Sequence, residues 1–500
     1  MPGRGLPAAL LNWFLTHGEV LRMAKMLIGG ELVDAQGGKT IEVRNPANGE
    51  AVGEIPRGTQ ADVDAAVDAA RKAFPGWAAT PGSKRAKLMH EAARKMHEVV
   101  DEVAKLLAME QGKPLAHAKI EAQRVAENLE YFAGLADKIR GDYIPLDDPS
   151  KFGITIRRPV GVVVAITPWN FPLTLFANKV CPALATGCTI ILKPASTTPL
   201  ATQRAIEAIN SAGFPPGVIN IVHGSGSEIG DALVSHPKIN KIAFTGQTAT
   251  GKRIMELAAK NVTRVTLELG GSDALIVADD ADIRRATAAA AIGRFFNAGQ
   301  ACLAVKRIFL FEKIAEEFMT KFTERAQKEW KIGEQFAADT KMGPLHTEHQ
   351  RAEVEAQVAD AVNRGAKVLA GGKRPDGAEY AKGWFYPATV LTDVPEDSRM
   401  ATEEVFGPAV PLFIVKDIDE AIAKANASVY GLGSSIFTKD MAKARKAAEL
   451  LDAGYTWVND IQVAYDQLPF GGAKQSGFGK EHGMEAIESY TEKKSVVLAG

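Results

Sequence analysis

Short apolar runs alternate with helical patterns through the first half of the chain. Each run is uninterrupted, as is typical of a strand buried on both faces, and each ends in a polar or glycine-containing turn. The runs are Val160–Ile166, Ile190–Leu192, Val218–Val222, Ile242–Phe244 and Val265–Leu267. Because helical stretches separate them, the pattern predicts an α/β fold with a doubly wound parallel sheet. Ligands of such sheets bind beyond the carboxyl ends of the strands, so the turns after these runs are candidate functional sites.

The flanking segments extend the same α/β pattern. Thr59 and Asp62 have the spacing of a capping box, and they predict a helix that runs through Phe74 and ends at Pro75-Gly76. The second half of the chain repeats the alternation more loosely, which predicts a second α/β domain. Its candidate strands are 307–311, 367–369, 390–391 and 412–415, and its candidate helices are 317–330, 350–364 and 418–427. Residues 494–498 predict one more strand, paired with another element or with another subunit.

Composition narrows the class of protein. The 500 residues are 46% hydrophobic and 24% charged, which is ordinary for globular proteins. Lys and Arg total 59 and Asp and Glu total 60, so the chain lacks the basic excess of a nucleic-acid-binding protein. Three cysteines without paired spacing give neither a disulfide scaffold nor a metal framework. Because the chain has no apolar run long enough to span a bilayer, we expect a cytoplasmic protein with no metal site and no nucleic-acid or membrane partner.

Residues before Met23 differ from the rest of the chain. A mostly apolar patch at Leu6–Leu15 follows Arg4, but no small-x-small cleavage site comes after it, which disfavours a signal peptide. We interpret residues 1–25 as an N-terminal extension that is either disordered or outside the native protein. In the second case, native translation begins at Met23 or Met26.

Two glycine-rich segments resemble nucleotide-binding motifs without matching them. Gly246–Arg253 has nearly the Walker A pattern, but Arg253 stands where a Ser or Thr hydroxyl would hold magnesium. An ordinary P-loop nucleotidase is therefore disfavoured, although the helix that starts there can still attract a phosphate. Gly224–Gly230 has one residue too many for the dinucleotide fingerprint and is weak by itself.

Cys302, Glu268 and Asn170 are the candidate catalytic residues. Cys302 follows a run of small residues, and a turn near a helix start can stabilise a thiolate. Glu268 ends a predicted strand, and a carboxylate there can activate water to release a thioester. Asn170, at another strand end, has an amide N–H for a developing oxyanion. Cys181 and Cys188 lie in apolar sequence, so we interpret them as buried packing residues.

The candidate residues lie in motifs that resemble those of the aldehyde dehydrogenase superfamily. The matching segments follow the family order from about Met26 to the C-terminus: Pro168–Pro172, Lys193-Pro194, Phe244–Gly246, Glu268–Gly271, Gly299–Cys302, Glu404–Pro408 and Pro469–Gly472. The resemblance implies oxidation of an aldehyde to a carboxylic acid with NADP or NAD as the cofactor. It also implies that the Cys302 thiolate attacks the aldehyde, that Asn170 holds the oxyanion, and that Glu268 activates the water that hydrolyses the thioacyl enzyme. Because Glu268 is present, the hydrolytic branch is favoured over the coenzyme-A-acylating branch.

A cofactor site is implied by the same resemblance. Lys193 would bind the adenosine ribose, and Glu404 would hold the nicotinamide ribose with Phe406 near the ring. Ser196 stands where NAD-preferring members often carry a glutamate that repels a 2′-phosphate, so we expect NADP to be accepted. Lys179 and Glu481 match two charged positions with supporting roles, and Gln247 replaces the usual serine. The implied cofactor-binding residues are Ile166, Thr167, Pro168, Trp169, Lys193, Ser196, Gly226, Phe244, Thr245, Gly246, Gln247, Leu269, Glu404 and Phe406.

The substrate prediction rests on a departure from the most similar branch of the family. Residues 268–273 resemble succinate-semialdehyde dehydrogenases, but Asn178 and Phe296 replace the two arginines with which that branch binds the distal carboxylate. A buried carboxylate without a cation is costly, so we expect an uncharged aromatic or medium-chain aldehyde. The alternative is a semialdehyde dehydrogenase that uses another cation, with Arg294 as a candidate. The predicted pocket consists of Phe171, Asn178, Phe296, Leu303 and Tyr465.

The domain boundaries are implied by the organisation of the family. We expect a Rossmann-like NAD(P)-binding domain at 26–146 and 161–275, a catalytic domain at 276–485, and a small β oligomerisation arm at 147–160 and 486–500. The arm implies a homodimer or a homotetramer, between which the sequence does not choose. A non-catalytic protein on the same fold is the alternative from another class, and the intact Cys302, Glu268 and Asn170 disfavour it.

Overall fold

A computed structural model describes residues 24–499. The helices are α1 (Gln60–Ala79), α2 (Gly82–Gln111), α3 (Leu115–Leu135), α4 (Pro172–Thr186), α5 (Leu200–Asn210), α6 (Asp231–Ser235), α7 (Thr248–Ala259), α8 (Ile283–Phe295), α9 (Glu312–Lys328), α10 (Glu348–Asn363), α11 (Arg399–Thr402), α12 (Ile418–Asn426), α13 (Met441–Leu450) and α14 (Gly483–Ser489). The strands are β1 (Met26–Ile28), β2 (Glu31–Val33), β3 (Thr40–Arg44), β4 (Ala51–Pro56), β5 (Tyr143–Pro145), β6 (Lys151–Pro159), β7 (Val162–Ile166), β8 (Thr189–Lys193), β9 (Ile219–Ile221), β10 (Lys241–Thr245), β11 (Arg264–Glu268), β12 (Asp273–Val277), β13 (Val305–Phe311), β14 (Lys367–Ala370), β15 (Thr389–Thr392), β16 (Ala409–Val415), β17 (Tyr430–Gly431), β18 (Gly433–Phe437), β19 (Tyr455–Val458), β20 (Ala473–Lys474), β21 (Gly477–Phe478) and β22 (Thr491–Ala499).

The first large sheet confirms the predicted doubly wound arrangement. Its strands lie in the order β2-β1-β9-β8-β7-β10-β11-β21, and those from β9 to β11 are parallel. The chain adds β8 and β9 on one side of β7, and then crosses to add β10 and β11 on the other side. This reversal creates a topological switch point between β7 and β10, which is where doubly wound proteins bind ligands. Strands β8 and β10 are buried along their whole length, which explains their apolar sequence.

The second large sheet is built from the second half of the chain. Its order is β14-β15-β16-β13-β12-β18-β19, parallel except for the edge strand β14. Strand β12 starts at Asp273, so the chain enters this sheet before the predicted domain boundary at 276. Conversely, β21 returns to the first sheet, where Gly477 pairs with Glu268. The division into domains otherwise stays a prediction.

A separate three-stranded sheet joins the C-terminal strand to the middle of the chain. Strand β22 runs antiparallel to β6 from Thr491, opposite Pro159, to Ala499, opposite Lys151. The terminal strand predicted at 494–498 therefore pairs within its own chain. Strand β5 also belongs to this sheet and begins at Tyr143, before the predicted arm boundary at 147.

The predicted end of the first helix at Pro75-Gly76 is wrong. Helix α1 starts after Thr59 as predicted, with a hydrogen bond from the Thr59 backbone to the Asp62 carboxylate, but it continues through Pro75 to Ala79. Trp77 in the last turn is buried and packs edge-on against Phe214, with ring centroids 5.6 Å apart. Burying this large aromatic side chain offsets the hydrogen bond that proline removes from the helix.

The N-terminal extension predicted at residues 1–25 stays a prediction, because residues 1–23 lie outside the described part of the chain. Met23 lies outside the described residues, whereas Met26 is buried at the start of β1, opposite Val33. Within residues 24–499, no helix has both the length and the apolarity that a membrane crossing needs.

Candidate active site

The predicted site residues gather at the carboxyl edge of the first sheet. Thr167, Lys193, Thr245 and Glu268 lie at or just after the ends of the adjacent strands β7, β8, β10 and β11. The parallel register aligns these strand ends, with Ile166 beside Lys193 and Thr245 beside Glu268. Residues that are far apart in sequence therefore share one cleft edge at the switch point.

The loop that carries Cys302 is held in an unusual backbone conformation. Asn297 and Ala298 have φ angles of 52° and 53°, and Gly299 has a φ of 71°. A side chain on Gly299 would collide with the Arg294 guanidinium and with the main chain of Gly407. Arg294 stabilises this strained segment because its guanidinium donates to Gly299 O at 2.6 Å.

Arg294 itself is fully buried and does not face the predicted pocket. Its guanidinium also donates to the main-chain oxygens of Val305 and Val405 at 3.2 and 3.3 Å. Burial lowers the pKa of Arg294 to about 9. The prediction that Arg294 could replace the missing carboxylate-binding arginines is therefore wrong, since both terminal nitrogens of its guanidinium bond main-chain oxygens in and around the cysteine loop.

Asn170 is attached directly to the cysteine loop. Its side-chain amide donates to Gln300 O at 3.1 Å, and its own main-chain oxygen accepts from Asn297 Nδ2 at 3.1 Å. The Lys113 ammonium donates to the same oxygen at 2.8 Å. An asparagine amide carries two hydrogens, so the side chain can bond to Gln300 and still offer a hydrogen to a developing oxyanion beside Cys302.

Cys302 is half-buried and surrounded by charged groups. Burial is the main cause that raises the pKa of its thiol to about 12, opposed by the Lys306 ammonium and assisted by the carboxylates of Asp273, Glu404 and Glu268. The Lys306 ammonium donates to Cys302 O at 2.6 Å. The nucleophile therefore needs positive charge or a base before it ionises.

Glu268 is a buried carboxylate without a hydrogen-bond partner among the described residues. Neither oxygen has a hydrogen bond of normal geometry in the described structure, although the Gly472 N–H is near enough to lower the carboxyl pKa, and a Cβ on Gly471 would lie 2.6 Å from Oε1. Burial and the nearby Glu481 carboxylate hold the pKa of Glu268 well above its usual range. Such a group is poised to accept a proton.

Lys179 and Glu481, the two supporting charges, pair behind Glu268. Their side chains are buried, and Nζ lies 2.5 Å from Glu481 Oε1. Lys179 also donates to Thr245 Oγ1 at 2.7 Å, at the end of β10. This pair therefore links the predicted base to the strand end where the cofactor is predicted to bind.

The Lys193 ammonium and the Thr167 hydroxyl are buried polar groups in the predicted cofactor site that have few hydrogen-bond partners. Lys193 is buried and donates to Pro194 O at 3.4 Å, and burial lowers its pKa to about 8. Thr167 Oγ1 is buried and has no hydrogen-bond partner in the described structure. Ser196 lies half-buried in the loop that follows Lys193. Buried donors without partners are costly, so this edge fits a polar ligand.

Aromatic side chains connect the turn after β7, which carries Trp169, with the segment before β16, which carries Phe406. Trp169 contacts Phe406 edge-on at a centroid distance of 5.6 Å and stacks on His346 at 4.5 Å. Glu404, two residues before Phe406, accepts from Gly271 N at 3.1 Å and from Lys306 at 2.8 Å.

The remaining predicted cofactor residues surround the start of α7 and the neighbouring strand ends. Gln247 is the exposed residue before α7, and no side chain caps the helix there. Gly246 packs against the Phe244 ring, and Leu269 contacts Gly251 in the first turn of α7. Gly226 lies in an exposed turn beyond β9, farther along the same edge. The free helix N-terminus suits a phosphate.

Only part of the predicted substrate pocket is brought together among the described residues. Phe171 and Phe296 stack with centroids 6.2 Å apart and an interplanar angle of 10°. Asn178 is buried and donates to Glu481 Oε2 at 3.2 Å, so its amide is already engaged. Tyr465 is 47% exposed, and no ring contact joins it to Phe171 or Phe296 in the described structure. Leu303 is placed by its main-chain oxygen, which accepts a hydrogen bond from Gln462 at 2.8 Å.

Sequence reasoning missed three side chains of this site. His117 packs on Phe296 with centroids 4.2 Å apart, and burial lowers its pKa to about 4. Lys113 lies 4.0 Å from the centroid of the Phe171 ring, and Lys306 lies between Cys302 and Glu404. Lys113 and His117 occur outside the recognised motifs, and Lys306 lies four residues past one of them, so only their contacts reveal them.

The comparisons with known proteins identify the family of this chain. The profile of the aldehyde dehydrogenase family matches residues 32–496. Glutarate-semialdehyde dehydrogenase of Pseudomonas putida and succinate-semialdehyde dehydrogenase (NADP(+)) GabD of Escherichia coli are 41% and 40% identical over 472 residues, covering 94% of this chain and 97% of each relative. The structure of betaine aldehyde dehydrogenase from Staphylococcus aureus in complex with NAD+ superimposes with a TM-score of 0.94 at 39% identity, covering 96% of both chains. The chain therefore belongs to the aldehyde dehydrogenase family of oxidoreductase enzymes, as its motifs predict.

Proposed function

We propose that the protein oxidises an uncharged aldehyde to a carboxylic acid through a thioester on Cys302. The observation that carries the proposal is the meeting of three groups. The Asn170 amide is hydrogen-bonded to the cysteine loop. Glu268 is buried without a hydrogen-bond partner of normal geometry, and its carboxylate is close enough to Cys302 to raise the pKa of the thiol. A nucleophile, an amide donor and a base of raised pKa are the parts that acyl transfer needs.

The steps follow from these side chains. Cys302 gives up its proton to solvent, and the thiolate sulfur bonds to the aldehyde carbon, which turns the carbonyl oxygen into an oxyanion. The Asn170 amide and the Cys302 backbone N–H hold that oxyanion. A bound NAD(P) would supply the acceptor for the hydride that the former aldehyde carbon loses, which leaves a thioester on Cys302. Glu268 then takes a proton from water, whose oxygen attacks the thioester, releases the acid and restores the thiolate.

Residues at the edge of the first sheet, together with Glu404 before β16 of the second sheet, would hold the cofactor. Lys193 is a buried ammonium that donates to the main-chain oxygen of Pro194 at 3.4 Å, and it would bind the adenosine ribose. Ser196 adds a hydroxyl rather than a carboxylate next to it, so the site would accept the 2′-phosphate of NADP as well as NAD. The N-terminus of α7, with Gly246 and Gln247, would approach the pyrophosphate, and Glu404 would hold the nicotinamide ribose.

The substrate preference follows from the lining of the pocket. Phe171, Phe296 and neutral His117 present aromatic surface next to Asn170. Lys113 lies over one of these rings, but it is paired with Glu121 at 2.5 Å and is buried away from solvent. A substrate carboxylate would therefore enter a lining with no uncompensated cation among these residues, at a desolvation cost. This lining favours aromatic or medium-chain uncharged aldehydes.

A semialdehyde is the second candidate substrate because two similar relatives are named for semialdehydes. In this chain the cation would be Arg124 rather than Arg294. Arg124 is about one-third exposed, and its guanidinium donates to Ala464 O at 3.5 Å and to Asp466 Oδ1 at 2.6 Å, the residues on either side of Tyr465. A substrate carboxylate would have to displace Asp466 from this guanidinium.

Initial rates of cofactor reduction with benzaldehyde and succinic semialdehyde, at saturating NADP, test the proposal. We expect kcat/KM to be at least about tenfold higher for benzaldehyde, unchanged in Arg124→Met and lost in Cys302→Ser. A preference for succinic semialdehyde that disappears in Arg124→Met would establish the second candidate instead. If Cys302→Ser still oxidised both benzaldehyde and succinic semialdehyde at the wild-type rate, the thioester mechanism would be refuted.

Exposed apolar side chains and free cysteines bear on the assembly and location of the protein. Tyr143, Phe152 and Val497 of the three-stranded sheet are between 40% and 68% exposed, which is costly for large apolar side chains. We infer that this sheet packs against a second copy, giving a homodimer or homotetramer that light scattering would distinguish. The three free cysteines suit a reducing cytoplasm.

A further inference from the structure

Lys306 is a fully buried lysine to which the proposed mechanism gives no role. Its ammonium donates to Cys302 O at 2.6 Å and to Glu404 Oε1 at 2.8 Å. Its side chain is 1% exposed. Burying an ammonium is costly unless it is paired and hydrogen-bonded, so a lysine at this position indicates a specific use for the charge.

The charges around Cys302 show what that use is. Glu268 at the end of β11, Asp273 at the start of β12 and Glu404 before β16 each disfavour the thiolate, and Lys306 favours it. The buried guanidiniums of Arg294 and Arg307 also lie close to these carboxylates, but both donate to main-chain oxygens. Arg294 bonds Gly299, Val305 and Val405, and Arg307 bonds Ser272, Lys424 and Ala425. The Lys306 ammonium, in contrast, bonds the nucleophile's own residue.

Glu404 shares the Lys306 ammonium with Cys302. Its Oε1 accepts from Lys306 and from Gly271 N, and it is the residue proposed to hold the nicotinamide ribose. A carboxylate that turns to hydrogen-bond a ribose hydroxyl gives up part of its contact with the ammonium. The positive charge then acts less on Glu404 and more on the cysteine.

We propose that Lys306 is a positioning residue that fixes the main chain of Cys302, supplies the positive charge that favours its thiolate, and transmits the engagement of Glu404 by the cofactor to the nucleophile. The last part rests on the proposed function, whereas the first two do not need a cofactor.

Alkylation of Cys302 by iodoacetamide, followed as a function of pH in the cofactor-free full-length protein, tests the inference directly. Replacing the ammonium in Lys306→Met should move the titration midpoint upward and slow alkylation at pH 8 by about tenfold, the effect of one pKa unit on the thiolate fraction. Lys306→Arg keeps a buried cation and should restore at least part of the rate. Adding NADP should speed alkylation of the wild type and have a smaller effect in Lys306→Met.

Two controls separate this role from a general loss of structure. Lys241 is another buried lysine, bonded to Thr266 Oγ1 at 2.6 Å at the far end of β10, so Lys241→Met should leave the Cys302 titration in place. Cys302→Ser gives the background from Cys181 and Cys188. An unchanged midpoint in Lys306→Met, or an arginine variant that behaves like the methionine variant, would overturn the inference. Failure of the proposed function would show separately, as a wild type that is alkylated normally but reduces no cofactor with any aldehyde.

Discussion

The Lys113 ammonium lies 2.8 Å from the main-chain oxygen of Asn170, the residue proposed to hold the oxyanion. The same ammonium pairs with Glu121 at 2.5 Å, and both side chains are buried. Glu121 in turn accepts from Leu173 N at 2.9 Å, in the first turn of α4. One buried ion pair therefore holds the end of the Asn170 turn and the start of the next helix in a fixed relation.

Removing one member of this pair should be more damaging than removing both. In Lys113→Met the Glu121 carboxylate keeps its burial and loses its cation, so we expect the free energy of unfolding to fall by about 3–5 kcal/mol. Lys113→Met/Glu121→Gln should recover part of that loss. Urea denaturation of the three proteins measures the effect, and a double variant no more stable than Lys113→Met would contradict the explanation.

Glu268→Gln should separate the two halves of the proposed reaction. The amide cannot take a proton from water, so the thioester on Cys302 should accumulate and steady-state turnover should fall by at least about a hundredfold. A rapid burst of cofactor reduction, close to one equivalent per active site, should remain in stopped-flow absorbance. Cys302→Ser serves as the control without a burst. Full turnover in Glu268→Gln would show that another group activates the water.

The rate should rise with pH across the neutral and alkaline range. Glu268 and Cys302 both act in the deprotonated form, and both have a pKa raised by burial, to about 12 for the Cys302 thiol without cofactor. Lowering the pH therefore protonates the groups that react, with a loss approaching tenfold per pH unit. His117 and His346, whose pKa values burial lowers to about 4, stay neutral throughout. Measurement of kcat from pH 6 to pH 9.5 checks this, and a rate that falls over that range would contradict it.

Ser196→Glu should convert the cofactor preference. A carboxylate beside Lys193 repels the 2′-phosphate of NADP and can accept from the 2′-hydroxyl of NAD. We expect kcat/KM for NADP to fall by at least about tenfold while that for NAD is kept or rises. Ser196→Ala controls for loss of the hydroxyl alone. The assay belongs at pH 7, because burial lowers the pKa of Lys193 to about 8 and its charge disappears above that value. Equal changes in kcat/KM for NADP and NAD would show that Ser196 does not contact the 2′-substituent of the adenosine ribose.

The sequence was sufficient for the parts of the protein that local patterns encode. Strands buried on both faces need continuous apolar residues, so β7 to β11 were visible as runs, and the turns after them marked the edge where Thr167, Lys193, Thr245 and Glu268 meet. The motifs that contain Cys302 and Glu268 also predicted the family, which the comparisons confirm. The roles assigned to individual site residues stay predictions for the experiments above.

The tertiary structure decided where the buried charges point. Arg294 was compatible with the pocket by its position in sequence, yet the strained turn at Asn297–Gly299 draws its guanidinium into the core. Lys113 and Lys306 gained their significance from partners 57 and 98 residues away, Asn170 and Glu404. The spacing of hydrophobic residues predicts which face of a helix or strand is buried. The partners that stabilise a buried charge are the groups that the fold brings within hydrogen-bond distance of it, and these can be far away in sequence. Those contacts exist only once the helices, strands and loops that carry the partners have packed together.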